Sequence, residues 1–377
     1  MDIQLLTNFE KTRLADRQPL PDPYLRLPDA EMEVRIAAAK AALGDRLLIL
    51  GHHYQRDEVI RFADVTGDSL KLAQHAARQN RADYVVFCGV HFMAESADIL
   101  VAPHQQVILP DLAAGCSMAD MAAIDQLEVC WEEMRTMGVS NVVPVTYINS
   151  TAAIKAFCGE HNGIVCTSTN AAAVMGWAWD RAEKLVMLPD QHLGRNTAFR
   201  MGVPLDDMVV WDPDLPFGGL TAAEVKRARL ILWKGHCSVH TRFSVKHIEQ
   251  FRQQHPDGKV IVHPECTFDV VQAADLSGST EFIIKTVKNS PEGSAWAVGT
   301  EVHLVNRLAR EVAPGKHVQS LEAMGCLCST MFRVSPNHLL WVLDGLVDGE
   351  VHNRIVVPDD VKSFARVALD RMLELAH

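Results

Sequence analysis

Gly325-Cys326-Leu327-Cys328-Ser329-Thr330-Met331 is the stretch on which the reading of this chain turns. It follows residues 318–324, which have the pattern of a short strand and turn. Two other stretches share its plan. Gly115-Cys116-Ser117-Met118 follows the apolar run Val107-Ile108-Leu109, and Gly235-His236-Cys237-Ser238-Val239 follows Leu230-Ile231-Leu232-Trp233. Each time an apolar run ends, a turn carries glycine, and Cys-Ser comes next. Three cysteines in equivalent settings, far apart along the chain, predict three look-alike modules whose thiols meet at one metal cluster.

Working outward from these turns, a repeat of long period emerges. Its first strands are Leu47-Leu48-Ile49-Leu50, Val142-Val143-Pro144-Val145 and Val260-Ile261-Val262. Polar turns follow: Gly51-His52-His53-Tyr54-Gln55, Thr146-Tyr147-Ile148-Asn149-Ser150 and His263-Pro264-Glu265-Cys266-Thr267. The second turns are Thr66-Gly67-Asp68-Ser69, Thr167-Ser168-Thr169-Asn170 and Ser277-Gly278-Ser279-Thr280, each before a helical run. Their hydroxyls suit helix N-caps, and helix N-termini also attract carboxylates and phosphates, so both roles stay open. The third strands are Tyr84-Val85-Val86-Phe87, Leu185-Val186-Met187-Leu188 and Ala295-Trp296-Ala297-Val298; the fourth lead to the Cys-Ser turns.

Strand, turn and helix in alternation predict parallel βαβ units. Continuously apolar strands fit sheets covered on both faces, and ligands of such sheets bind outside the carboxyl ends of the strands. The expected fold is therefore α/β, with three pseudo-threefold-related α/β/α units of short parallel sheets and the site at their common interface. The units run over 34–130, 131–242 and 243–346, with an arm over 1–33 and a tail helix within 347–377. The second unit is longer because residues 211–225, with their Asp-Pro, Leu-Pro and Gly-Gly pairs, read as a loop insertion.

Composition narrows the function classes. A chain of 377 residues suits two or three domains, and 48% hydrophobic with 22% charged residues is ordinary for a soluble globular protein. A net charge of -11 argues against nucleic acid as a partner. No apolar run approaches the roughly 20 residues that span a bilayer, and the charged, proline-rich start lacks the apolar core of a secretory signal. The odd count of nine cysteines argues against a disulfide framework and for a reducing cytoplasm. Cys88 and Cys166, on apolar strands, read as small buried hydrophobes.

Single cysteines on three modules differ from the close pairs of structural zinc sites. Thiolates hold iron–sulfur clusters, and a [4Fe-4S] cluster with three protein ligands leaves one iron open as a Lewis acid. Alignment on Cys-Ser selects Cys328 over Cys326, which is then a neighbour or a redox partner. His236 and His240 flank Cys237, so a zinc-dependent lyase or hydrolase stays open, as does a non-catalytic iron–sulfur redox sensor. No Walker loop is present, and no Gly-x-Gly-x-x-Gly follows a strand.

Taken together, Gly51-His52-His53-Tyr54-Gln55, Gly67-Asp68-Ser69, Pro144-Val145-Thr146-Tyr147-Ile148-Asn149-Ser150, Cys166-Thr167-Ser168-Thr169-Asn170-Ala171, Pro189-Asp190-Gln191-His192-Leu193-Gly194, His263-Pro264-Glu265-Cys266 and Cys328-Ser329-Thr330-Met331 resemble the quinolinate synthase family. The resemblance runs from about residue 48 to 346. It implies condensation of iminoaspartate with dihydroxyacetone phosphate to quinolinate, phosphate and water, a step of de novo NAD biosynthesis. It also implies a [4Fe-4S] cluster on three cysteines, here Cys116, Cys237 and Cys328. An aspartate-oxidising enzyme would supply the imine. The family's substrate-contacting positions match His52, Ser69, Tyr147, Asn149, Ser168, His263, Glu265 and Thr280, and Tyr54 matches a tyrosine near the reacting atoms. Glu265 has the look of the general base, with His263 and Tyr54 as its partners in proton transfer. Ser238 departs from those members that carry histidine after this cysteine, so no role is carried over to it.

Overall fold

The computed structural model describes residues 20–375. Of the arm expected over 1–33, residues 1–19 lie outside the described residues. The remainder forms a one-turn helix, Asp22–Leu25, and the start of a long helix, Asp29–Leu43. The long helix shows how local sequence sets the elements. Pro28 precedes it, Asp29 and Glu31 fill its first turn, Lys40 lies in its last, and Gly44 at φ 51° stops it. Met32, Ile36, Ala39 and Leu43 are its buried residues, the stripe that a 3.6-residue period places on one face.

The chain is an α/β protein with three short, mainly parallel sheets. The first contains β1 (Leu47–His52), β2 (Val65–Gly67), β3 (Tyr84–Cys88), β4 (Gln106–Ile108) and β14 (Arg354–Ile355), in the order β14-β4-β3-β1-β2. The second contains β5 (Val142–Tyr147), β6 (Ile164–Cys166), β7 (Lys184–Leu188), β8 (Met208–Trp211) and β9 (Leu230–Trp233), in the order β6-β5-β7-β9-β8. The third contains β10 (Lys259–Val262), β11 (Leu276–Ser277), β12 (Ala295–Gly299) and β13 (His317–Ser320), in the order β11-β10-β12-β13. The same sequence of positions recurs: second strand, first, third, then the strand that leads to a Cys-Ser turn. β14 alone runs antiparallel, against β4. All six residues of β1 and all five of β3 are buried, as expected of parallel strands covered on both faces.

Two compact units divide these elements. One ends at Gly115 and takes back Leu327–Val356; it holds the first sheet, packed around Ile36, Ile49, Val86, Ile108 and Leu343. The other is Cys116–Cys326 with Val357 onward, and holds the second and third sheets. One of its cores gathers Leu188, Trp211, Ile231 and Trp233; another gathers Ile261, Ile283, Trp296 and Val305. The stretch 211–225 is more than a loop. It leaves the edge strand β8, makes a 3-10 turn at Pro216–Gly219, and enters a helix, Ala222–Arg227, closed by a Thr221–Glu224 capping box. The tail forms the helix Asp359–Glu374, which buries Ala365, Ala368, Leu369 and Met372. It packs on the helix Ala152–Glu160, and Arg371 Nη1 donates to Gly163 O at 2.6 Å. No helix among the described residues is long and apolar enough to cross a membrane.

Candidate active site and metal centre

The three Cys-Ser turns are built alike. Each cysteine carbonyl accepts the N–H four residues on: Asp120 to Cys116 at 3.1 Å, Thr241 to Cys237 at 3.1 Å, and Phe332 to Cys328 at 3.0 Å. Each thiol thus stands at the head of one helical turn, after β4, β9 and β13 respectively. These three cysteines are half-buried, and the other six of the nine are buried. Glycines make two of the turns feasible. Gly325 sits at φ 73°, and a Cβ there would come within 2.5 Å of Val302. A Cβ on Gly235 would approach Pro189 O to 2.2 Å, where Gln191 N donates to Gly235 O at 3.0 Å.

Contacts within each unit surround these turns. In the larger unit, Met121 ends the Cys116 turn. Its carbonyl accepts from Trp233 Nε1 at 2.6 Å, and its sulfur lies 3.4 Å from His236 N, so the Cys116 and Cys237 turns touch. Asp190, fully buried, caps the helix Gln191–Arg200 by accepting from Leu193 N at 2.6 Å. Burial and the neighbouring Glu265 carboxylate push its carboxyl well above the ordinary range, against hydrogen bonds from the Leu193, His192 and Cys237 amides. In the smaller unit, Gln55 Nε2 donates to Met331 O at 3.0 Å, and the Arg56 guanidinium lies 4.1 Å from the Phe332 ring centroid. The His52–Tyr54 turn is thereby held next to the Cys328 turn.

Glu265 is the centre of the polar network in the larger unit. It follows β10 in the turn His263-Pro264-Glu265, which Asn196 Nδ2 fastens by donating to Pro264 O at 2.9 Å and Cys266 O at 2.8 Å. Tyr147 Oη donates to Glu265 Oε1 at 2.6 Å, and His240 Nδ1 lies 2.9 Å from Oε2. Only 3% of Glu265 is exposed, and an unpartnered buried carboxylate would be expelled or protonated. Burial does push its carboxyl up, but the two histidines and the hydrogen bonds from His240 and Tyr147 outweigh this and hold it well below the usual range.

His263 behaves differently, although its ring stacks on His240 with centroids 4.5 Å apart. Its Nδ1 lies 3.4 Å from the Glu265 amide nitrogen and 3.5 Å from Glu265 Oε1; accepting from the amide places the ring proton on Nε2. Burial pushes its pKa down to about 3, with Glu265 pulling up and His240 pushing further down. His52 repeats this arrangement in the first sheet, where its Nδ1 accepts from Tyr54 N at 3.1 Å and its ring meets Tyr54 edge-on at 4.7 Å.

The structure thus brings Tyr147, His263 and Glu265 into direct contact. Asn149 lies two residues beyond Tyr147, in a turn tied by Ser150 Oγ to Tyr147 O at 2.8 Å and by Lys155 Nζ to Ser150 O. Its buried Oδ1 has no hydrogen-bond partner among the described residues. Ser168 sits half-buried in the turn after β6. Ser69 and Thr280 each take the first position of a helix; the caps are Asp68 and Ser279, one residue earlier, so capping explains neither hydroxyl. His52, Tyr54, Ser69 and Cys328 belong to the smaller unit.

Of the partners of Glu265, sequence reasoning reaches Tyr147 and His263 but not His240. From the sequence His240 reads only as a flank of Cys237, and nothing there singles out Thr300, whose Oγ1 lies 3.1 Å from His240 Nε2. The available signal was the spacing Cys237-x-x-His240, which on a helical turn puts both side chains on one side. Donor atoms of Cys237, His240 and Glu265 lie within 4.8 Å of one another.

Fold and site together define a class: an α/β protein whose parallel strands end in turns bearing thiols, imidazoles and a buried carboxylate. Residues 34–374 match the model of the family described as "NadA: Quinolinate synthetase A protein", and the chain belongs to that family. It is 60% identical over 357 residues to the quinolinate synthase of Acidobacterium capsulatum, covering 94% of this chain and 95% of that one. Against the quinolinate synthase of Anoxybacillus flavithermus it is 55% identical over 360 residues, covering 95% and 97%. The Nocardioides sp. quinolinate synthase is 56% identical over 368 residues, with 96% and 91% covered.

Proposed function

We propose that this chain is a quinolinate synthase that condenses iminoaspartate with dihydroxyacetone phosphate, releasing phosphate and water, for de novo NAD biosynthesis. The observation that carries this reading is the buried Glu265, held by Tyr147 and His240 within 4.8 Å of the Cys237 donor atom. An ionised carboxylate with fixed lone pairs suits the removal of a proton from a triose carbon. Tyr147 Oη, already donating to Oε1, can follow that proton. His263, neutral with its proton on Nε2, is a donor for an oxygen that gains negative charge. Tyr54 and His52 offer the same pair of groups on the first sheet. The dicarboxylate and the phosphate call for donors, and Ser69, Ser168, Thr280 and Asn149 supply them. Ser69 and Thr280 start helices whose free N–H groups favour anions.

Cys116, Cys237 and Cys328 fit a [4Fe-4S] cluster: three half-buried thiols, each heading one helical turn, in a chain whose other cysteines are buried. When bound, the cluster supplies a Lewis-acidic iron with one open position. On this reading residues 34–130, 131–242 and 243–346 are three modules, each contributing one thiolate. An aspartate-oxidising enzyme has to supply the imine, and the cytoplasm suits the reduced thiols.

Glu265→Gln removes the base but keeps the side chain's shape. Assayed anaerobically for quinolinate, the variant should lose turnover by about 10²–10⁴-fold with its iron and sulfide intact. Undiminished turnover overturns the assignment. A second reading rests on the same donors, since Cys237, His240 and Glu265 match the three-ligand pattern of a catalytic zinc site. It predicts a colourless anaerobic protein with one zinc per chain.

A further inference from the structure

We infer that His240 and Thr300 are positioning residues for Glu265, acting as a buried line of hydrogen bonds that fixes the direction of its lone pairs. The inference rests on the reading of Glu265 as proton acceptor. Thr300 lies in the turn after β12, and His240 opens the 3-10 turn His240–Arg242 three residues past Cys237. Both are buried, Thr300 completely. His240 Nε2 and Thr300 Oγ1 are 3.1 Å apart, and His240 Nδ1 and Glu265 Oε2 are 2.9 Å apart. The carboxylate accepts only, so His240 must carry its proton on Nδ1. With Nδ1–H assigned, Nε2 is left for the Thr300 hydroxyl, which can either donate or accept.

The two stacked histidines therefore meet Glu265 in different ways. His263 turns a lone pair toward the Glu265 amide; His240 turns a proton toward the Glu265 carboxylate. Tyr147 fixes one carboxylate oxygen and His240 the other, so the carboxyl group cannot rotate while it waits for substrate. Thr300 does not touch Glu265. Its role is to hold the imidazole plane, as the outer partner of a metal-bound or catalytic histidine does.

The experiment uses the cluster-loaded enzyme and follows kcat and KM separately, with iron content and melting temperature recorded for every variant. Thr300→Val is isosteric and removes only the hydroxyl. It should lower kcat about tenfold with KM changed less than twofold, the size expected for one buried hydrogen bond. Thr300→Ser should recover most of that loss. His240→Leu should lower kcat further, and His240→Asn, whose amide nitrogen stands near the place of Nδ1, should recover at least tenfold relative to it. The inference fails if Thr300→Val matches wild type in kcat while Glu265→Gln is inactive, or if Thr300→Ser does no better than Thr300→Val at equal iron content. If Glu265→Gln itself turns over normally, the reading of the base fails first, and the positioning role with it.

Discussion

At the scale of single residues, Glu265 shows how a charge is kept in a protein interior. Burial alone would protonate it, but His240 and His263 beside it, with the donors on both oxygens, reverse that outcome. Its neighbour His263 is held neutral for the opposite reason, since burial removes water from a cation. The consequence for stability has a definite sign. The ordinary histidine pKa is 6.5 and the folded value is about 3. Between these values the unfolded chain binds a proton on this residue that the folded chain refuses. Stability is therefore fully present above about pH 6.5 and falls as the pH drops from there. At pH 5 the linkage is on the order of 2 kcal/mol. His263→Asn should shrink the difference between urea midpoints measured at pH 7.5 and pH 5; an unchanged difference contradicts the account. At this scale the sequence revealed Tyr147, His263 and Glu265 through their places at strand ends. It hid Thr300, because Gly299-Thr300-Glu301 reads as the entry to a helix that Glu301 caps, and its contact with His240 spans 60 positions.

At the scale of elements, the long apolar runs were legible. β1, β3, β5, β7, β9, β10 and β12 fall where continuous hydrophobic stretches put them. The short strand β6 showed only as the apolar run ending in Cys166, and β2 and β11 were not legible, since two or three residues at a sheet edge carry too little pattern; β11 is only Leu276–Ser277. The edge strand β8 was hidden by the turn residues that follow it. The repeated strand–glycine–Cys-Ser plan was legible, and the structure adds why it recurs: each cysteine begins a helical turn. The remaining cysteines sit in elements that bury them. Burial pushes Cys88 up to about 12 and Cys326 to about 11, and raises Cys130, Cys158, Cys166 and Cys266 as well. A protonated, enclosed thiol is a poor nucleophile. Iodoacetamide at pH 8 should therefore alkylate Cys116, Cys237 and Cys328 of the metal-free protein first, as peptide mass analysis would show. Equal labelling of Cys158 and Cys166 contradicts the burial argument.

For the whole molecule, the α/β class and the three sheets followed from the alternation of elements, while the compact units did not. The chain passes out of the smaller unit at Gly115 and returns at Leu327, next to two of the cysteines, and the tail helix joins the larger unit rather than the strand β14 that precedes it. Such boundaries depend on long-range packing that no local pattern encodes. Membership of the quinolinate synthetase A family covers residues 34–374, so the account of the cysteine turns concerns the body of the family and not an appendage. Its central claim is that Cys116, Cys237 and Cys328 hold a single iron–sulfur cluster. The direct test is iron, sulfide and zinc analysis of anaerobically purified wild-type protein beside Cys116→Ala, Cys237→Ala and Cys328→Ala. The account predicts about four irons and four sulfides per wild-type chain, with both lost in each variant; full iron and sulfide retained by any one variant, or one zinc per wild-type chain, would contradict it.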